Sequence, residues 1–223
     1  MTKKIGIYGG SFNPVHFGHI GLVKWVSEHT DLDEVWMLVS PNNPLKDAGT
    51  LADEQTRLRQ VQQAVAGIPH VRVSDFEFSL PRPNYTASTL RALQDAYPDY
   101  EFTLIIGEDN FRIFTRWYDW QYILTTFRLF VYPRHQTTTD TTTPKTNSQA
   151  DKLTNTNANT NSNTNTTISN QTPITTSTFP AAKGIIFLHS APYFDISSTQ
   201  LRNRKHYSSK GGTPTTFEPV QPH

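Results

Sequence analysis

Residues 9–19 read Gly-Gly-Ser-Phe-Asn-Pro-Val-His-Phe-Gly-His, and no other stretch restricts the fold so tightly. The apolar run Lys4-Ile5-Gly6-Ile7-Tyr8 before it reads as a buried strand. Ile20-Gly21-Leu22-Val23-Lys24-Trp25-Val26 after it carries the apolar spacing of a helix. A strand, a glycine turn and a helix start in that order form a site for phosphate. Backbone N–H groups at the helix start point outward, and the helix dipole favours negative charge there. Gly9 and Gly10 let a ligand approach the backbone where a Cβ would obstruct it. His16 and His19 are three residues apart, so on a first helical turn both can face one phosphate. A single Gly-Gly is usually only a turn and a single His is usually structural. Together with Pro14 at a strand-to-helix junction, they make coincidence a poor explanation.

Beyond this unit the chain alternates strand and helix. Strands are expected at 4–8, 34–39, 71–73, 102–106, 127–132 and 184–188, and helices at 17–29, 53–66, 86–97, 109–115, 119–124 and 198–206. The strands lack polar alternation, as strands buried on both faces do, so a mostly parallel α/β sheet covered by helices is expected. In such sheets ligands bind beyond the carboxyl ends of the strands, where strand order reverses.

One segment breaks the pattern. Residues 136–178 hold 17 Thr and 8 Asn among 43, with almost nothing apolar beyond Leu153, Ile168 and Ile174. Such a composition cannot bury enough surface to offset the entropy of ordering it, so a disordered insert is expected. The organisation expected is therefore one domain in two parts, 1–135 and 179–206, interrupted by the insert at 136–178 and followed by a loose tail at 207–223. Lys and Arg number 20 against 19 Asp and Glu, so no general polyanion-binding surface and no nucleic-acid partner are expected. There is no cysteine, which excludes disulfides, thiolate metal sites and cysteine nucleophiles. No run approaches the roughly 18 apolar residues of a membrane span, and no signal-like segment stands at the start. A cytoplasmic protein without a membrane partner is the expectation.

Several residues of interest follow strands, at the ligand edge of such a sheet. Lys46 ends the stiff Pro41-Asn42-Asn43-Pro44-Leu45 loop as a mobile cation, although a single Lys is more commonly just solvated. Arg57 lies on an amphipathic helix with Leu58, Val61 and Val65, where a surface ion pair is at least as good a reading as a ligand contact. Thr86 opens a helix as an N-cap. Gly107 allows a tight turn after its strand, and Asp109 can accept hydroxyl or amide hydrogens. Trp117 is either core or a stacking surface for a planar ring. Near the end, Ile196-Ser197-Ser198-Thr199 followed by Arg202 forms a second anion site at a helix start. Two such sites suit a nucleoside triphosphate.

With these residues in view, the chain resembles the bacterial nicotinate mononucleotide adenylyltransferases of the nucleotidyltransferase superfamily with the T/HxGH motif. The likeness covers 4–134 and resumes at about 183–204. It rests on the 9–19 run, Pro44-Leu45-Lys46, Tyr85-Thr86-Ala87-Ser88-Thr89-Leu90, Ile106-Gly107-Glu108-Asp109-Asn110, Trp117, Tyr132-Pro133-Arg134 and Ile196-Ser197-Ser198-Thr199 with Arg202. Asn13 stands where the family commonly has Asp.

The resemblance implies a Rossmann-like, doubly wound sheet. It also implies adenylyl transfer from ATP to nicotinate mononucleotide, giving deamido-NAD and pyrophosphate. Gly9, Gly10, Ser11, Phe12, His16, His19, Ile196, Ser197, Ser198, Thr199, Arg202 and Arg134 would hold ATP, with His16, His19 and Lys46 in catalysis. Thr86, Gly107, Asp109 and Trp117 would hold the nicotinate nucleotide. Mg²⁺ would be carried on the ATP phosphates without a direct protein ligand. The alternatives are pantetheine-phosphate adenylyltransferase, a cytidylyltransferase, or a non-catalytic nucleotide-binding relative. Thr86, Gly107 with Asp109, and Trp117 argue against the first two, and the presence of both histidines argues against the last.

Overall fold

The computed structural model describes residues 2–41, 52–133, 179, 181–192, 198 and 201. Six strands form one sheet: β1 (Lys3–Gly10), β2 (Glu34–Val39), β3 (Val71–Ser74), β4 (Tyr100–Gly107), β5 (Arg128–Tyr132) and β6 (Ile185–Phe187). Between them run α1 (Phe17–His29), α2 (Glu54–Ala64), α3 (Thr86–Ala96), the short α4 (Glu108–Arg112) and α5 (Trp120–Thr126). All neighbouring strands pair in parallel, in the order β3-β2-β1-β4-β5-β6. The expected doubly wound parallel sheet is present.

Apolar residues on both faces of each strand explain this architecture. Along β2, Trp36 and Leu38 enter one core, while Val35, Met37 and Val39 enter the other. Side chains alternate across a strand, so an uninterrupted apolar run supplies two cores at once. Leu22, Val23 and Val26 of α1 and Leu58 and Val61 of α2 close one face. Leu90 and Leu93 of α3, Phe111 of α4 and Ile123 of α5 close the other. Gly6 belongs to this packing: a Cβ there would stand 2.6 Å from Leu32 Cδ1 and 2.8 Å from Ile105 Cδ1.

The departures from expectation are local. The helix expected at 109–115 divides into α4 and a 3-10 turn at Phe114–Arg116. A further 3-10 turn at Phe76–Ser79 was not anticipated. The 53–66 helix begins one residue later because Asp53 caps it, its carboxylate accepting the Thr56 amide at 2.9 Å. Of the helix expected at 198–206, Ser198 and Leu201 lie within the described residues, and both are helical. The Thr/Asn-rich segment lies outside them. β5 and β6, which flank it in sequence, are adjacent and pair Leu129 with Ile185. Phe179, just after the segment, packs on Phe111 and Trp120 with ring centroids 6.1 and 5.9 Å apart.

Candidate active site

Strand order reverses at β1, which has β2 on one side and β4 on the other. In open parallel sheets the ligand crevice lies beyond the carboxyl ends at such a switch point. β1 delivers Gly9 and Gly10 to its rim, and β4 delivers Gly107. A Cβ at Gly9 would meet nothing within 4 Å, so open space stands over the backbone there. Gly10 has a packing reason: a Cβ would come within 3.1 Å of the Phe12 ring. Phe12 holds a left-handed backbone (φ 43°), uncommon outside glycine, and the ring is almost wholly buried. The ring meets His19 edge-on at 5.1 Å and so supports the imidazole from below.

His16 is the N-cap of α1, and His19 is the third residue of its first turn. The two rings stack with centroids 3.6 Å apart and planes 25° from parallel. His19 Nδ1 accepts the backbone N–H of His16 at 3.2 Å. An accepting Nδ1 carries no hydrogen, so in the neutral ring the hydrogen resides on Nε2. His19 is thereby set as a donor. Helical Ser198 donates its hydroxyl to the Pro14 carbonyl at 2.9 Å, bringing the last motif of the chain against the first. Ile196, Ser197, Thr199, Arg202, Lys46 and Arg134 lie outside the described residues.

Arg57 corrects the reading of a surface ion pair. Its side chain is wholly buried and forms no ion pair among the described residues, Glu54 and Asp53 acting on it only through longer-range charge. The guanidinium instead donates to four backbone carbonyls: Ser11 at 2.6 Å, Ser40 at 2.8 Å, Ala52 at 2.9 Å and Pro41 at 3.0 Å. Burial lowers its pKa, but an arginine stays charged in such a setting. A signal for this was present in the sequence, since Arg57 lies four residues before Val61, on the buried stripe of its helix. Asn13 makes a second tie by accepting the Ala52 amide on Oδ1 at 3.3 Å. The Asp common at this position in the family would offer the same acceptor oxygen.

On the β4 side, Gly107 is the N-cap of α4, and Asp109 lies in that helix's first turn. Thr86 is the first residue of α3 rather than its cap; Tyr85 occupies the cap position, with extended backbone and no side-chain cap bond. A tyrosine there carries no short oxygen to return to the helix amides. Trp117 is partly buried with its ring 5.4 Å from Phe114, and among the described residues its buried Nε1 has no hydrogen-bond partner. Tyr85 and Tyr118, both exposed, meet with ring centroids 4.9 Å apart and planes tilted by 33°. Sequence reading passed over Glu77. This carboxyl is buried, accepts the Thr89 hydroxyl at 2.8 Å, and is pushed upward in pKa chiefly by desolvation.

Among the described residues no cluster of His, Asp and Glu could hold a metal ion. The polar side chains at the turn are Ser11, Asn13 and the two imidazoles, none of them a carboxylate. No helix of the described residues is long and apolar enough to cross a membrane.

A parallel sheet with a glycine turn and paired histidines at its switch point defines an α/β protein of the nucleotidyltransferase class, and the sequence pattern described as cytidylyltransferase-like matches residues 7–204. A Bacteroides fragilis protein named "Probable nicotinate-nucleotide adenylyltransferase" is 50% identical over 135 residues, covering 60% of this chain and 67% of the relative. A Porphyromonas gingivalis protein of the same name is 33% identical over 198 residues, 88% of this chain and 81% of its own. The Plasmodium falciparum nicotinic acid mononucleotide adenylyltransferase solved with NaAD aligns with a TM-score of 0.61 at 15% identity, over 90% of this chain and 83% of its own. At that identity the likeness speaks for the fold. The chain belongs to the cytidylyltransferase-like family and, within it, to the nicotinate-nucleotide adenylyltransferases of NAD biosynthesis.

Proposed function

We propose that the turn after β1 and the start of α1 hold ATP, and that the crevice bounded by Thr86, Gly107, Asp109 and Trp117 holds nicotinate mononucleotide. The observation that carries this reading is the pairing of β1 with β4, two parallel neighbours whose glycine ends, Gly9-Gly10 and Gly107, finish side by side at the carboxyl edge of the sheet. Two nucleotides bound there have their phosphates close together. The 5′-phosphate oxygen of nicotinate mononucleotide forms the new bond to the α-phosphorus of ATP. The bond from that phosphorus to the β-phosphate oxygen breaks, and pyrophosphate leaves in line.

No covalent enzyme intermediate is needed, so catalysis rests on positioning and on donors aimed at developing charge. His19 contributes its Nε2–H, and His16 and the Ser11 turn line the same end. The family motif adds Lys46, Ile196, Ser197, Ser198, Thr199, Arg202 and Arg134 on the phosphate and adenine side. Mg²⁺ bound to ATP would neutralise phosphate charge. Trp117 offers a ring face to the nicotinate, and Asp109 an acceptor for its ribose.

The test is pyrophosphate release from ATP with nicotinate mononucleotide, nicotinamide mononucleotide and phosphopantetheine compared side by side. Turnover that is highest with nicotinate mononucleotide is expected. Equal kcat/KM for the two mononucleotides overturns the preference, and turnover with phosphopantetheine alone overturns the acceptor assignment.

A further inference from the structure

We infer that Arg57 is a positioning residue for the ATP half of the site, acting through the backbone of the turn after β1 and touching neither nucleotide. The inference rests on the adenylyltransferase reading and adds to it a residue outside the ligand-contacting set. A fully buried cation with no ion pair among the described residues demands an explanation, because desolvating a charge is costly unless hydrogen bonds compensate. Here the compensation comes from four carbonyls on three separate stretches of chain: the glycine turn, the exit of β2 and the approach to α2.

The placement of those carbonyls is specific. Ser11 precedes Phe12, whose left-handed backbone puts its ring under His19. Ser40 also donates its amide to Gly10 at 2.9 Å, so the β2 exit is tied to the turn a second time. Ala52 is held from both sides, its carbonyl by Arg57 and its amide by Asn13. Four carbonyls need a planar fork with several donors. A lysine supplies charge but only three donors from one point, and cannot span the three stretches. Nothing comparable links Arg57 to Gly107, Asp109 or Trp117, so the acceptor half is not under its control.

The experiment compares Arg57→Lys, Asn13→Ala and Leu93→Ala with the parent protein. Leu93 is a buried α3 residue remote from the turn and reports what loss of packing alone does. ATP binding is titrated without acceptor, and kcat and both KM values are measured at matched fraction folded. Arg57→Lys is expected to weaken ATP binding and to lower kcat at least ~10-fold, since an ångström of misplacement can cost more than that. The KM for nicotinate mononucleotide should stay within about twofold, less than removal of one good hydrogen bond would cost. Asn13→Ala should shift the same ATP-side parameters by a smaller factor, and Leu93→Ala should shift neither side selectively.

Parent-like kinetics in folded Arg57→Lys, or losses shared equally by both substrates, overturn the inference. If Arg57→Lys does not fold, Asn13→Ala decides: an ATP-selective loss supports the inference and no loss overturns it. A parent protein that binds ATP yet turns over no acceptor would sink the adenylyltransferase reading alone, because the ATP titration still measures the role of Arg57. A parent protein that binds no ATP overturns both.

Discussion

His19 Nδ1 accepts the backbone N–H of His16, three residues earlier, and the same two rings stack 3.6 Å apart. One hydrogen bond thus fixes both the orientation of His19 and the nitrogen that carries its hydrogen. His19→Ala removes a preset donor at the phosphate end. A fall in kcat of at least ~10²-fold is expected, the usual cost of losing one donor to developing charge. The melting temperature should change little, because the ring is only partly buried. Near-parental kcat in the purified, folded variant would exclude His19 from the chemistry.

Trp117 packs on Phe114, a fully buried residue, and the proposed function also sets its ring against the nicotinate. Trp117→Ala should raise the KM for nicotinate mononucleotide several-fold and leave that for ATP nearly unchanged, since lost ring stacking costs about 1 kcal/mol. Trp117→Phe should keep the contact with Phe114 and recover stability better than it recovers acceptor binding. A parallel rise in the ATP KM, or simple unfolding of both variants, would leave Trp117 as a core residue only.

Glu77 makes stability depend on pH in the sense opposite to an ion-paired carboxylate. Its pKa in the folded state lies above the ordinary value of 4.5, mainly because burial disfavours the charge. The folded state therefore holds the proton more tightly than the unfolded state. The destabilisation is fully present above the folded pKa and fades as pH falls toward 4.5. Glu77→Gln, which keeps an acceptor for Thr89, should gain in melting temperature relative to the parent at neutral pH. That gain should shrink as the pH is lowered. A gap that widens on acidification would show that the carboxylate is stabilised as the anion.

The Thr/Asn-rich stretch joins β5 to β6, which are parallel neighbours. A parallel connection needs a crossover of roughly a dozen residues or more, with no fixed upper length. Replacing 138–177 by a short Gly/Ser linker should leave activity and melting temperature almost intact, because loop-closure entropy grows only slowly with length. Phe179 must be kept, since it packs on Phe111 and Trp120. A loss above ~2 kcal/mol from removing the centre alone would mean that the stretch packs on the domain.

Much of this protein was written in local patterns. Uninterrupted apolar runs such as 34–39 state that a strand is covered on both faces, and the Gly-Gly to His-Phe-Gly-His run states that a strand enters a helix through a phosphate-binding turn. Those features depend on neighbours within a few residues, so periodicity and backbone preference suffice to read them. The position of Thr86 shows the limit, because the sequence offers a capping hydroxyl while the folded chain caps at Tyr85 and begins α3 one residue later. Arg57 shows it more plainly. Whether an arginine on an amphipathic helix faces solvent or a carbonyl cage depends on Ser11, Ser40, Pro41 and Ala52, three of them sixteen or more residues away. Glu77 and Thr89 meet in the same way, across the turn that precedes α3. Local sequence determined which elements form and where the phosphate turn lies. Only the tertiary structure decided which polar groups would be buried together, because that choice is made by contacts between segments that no local period encodes.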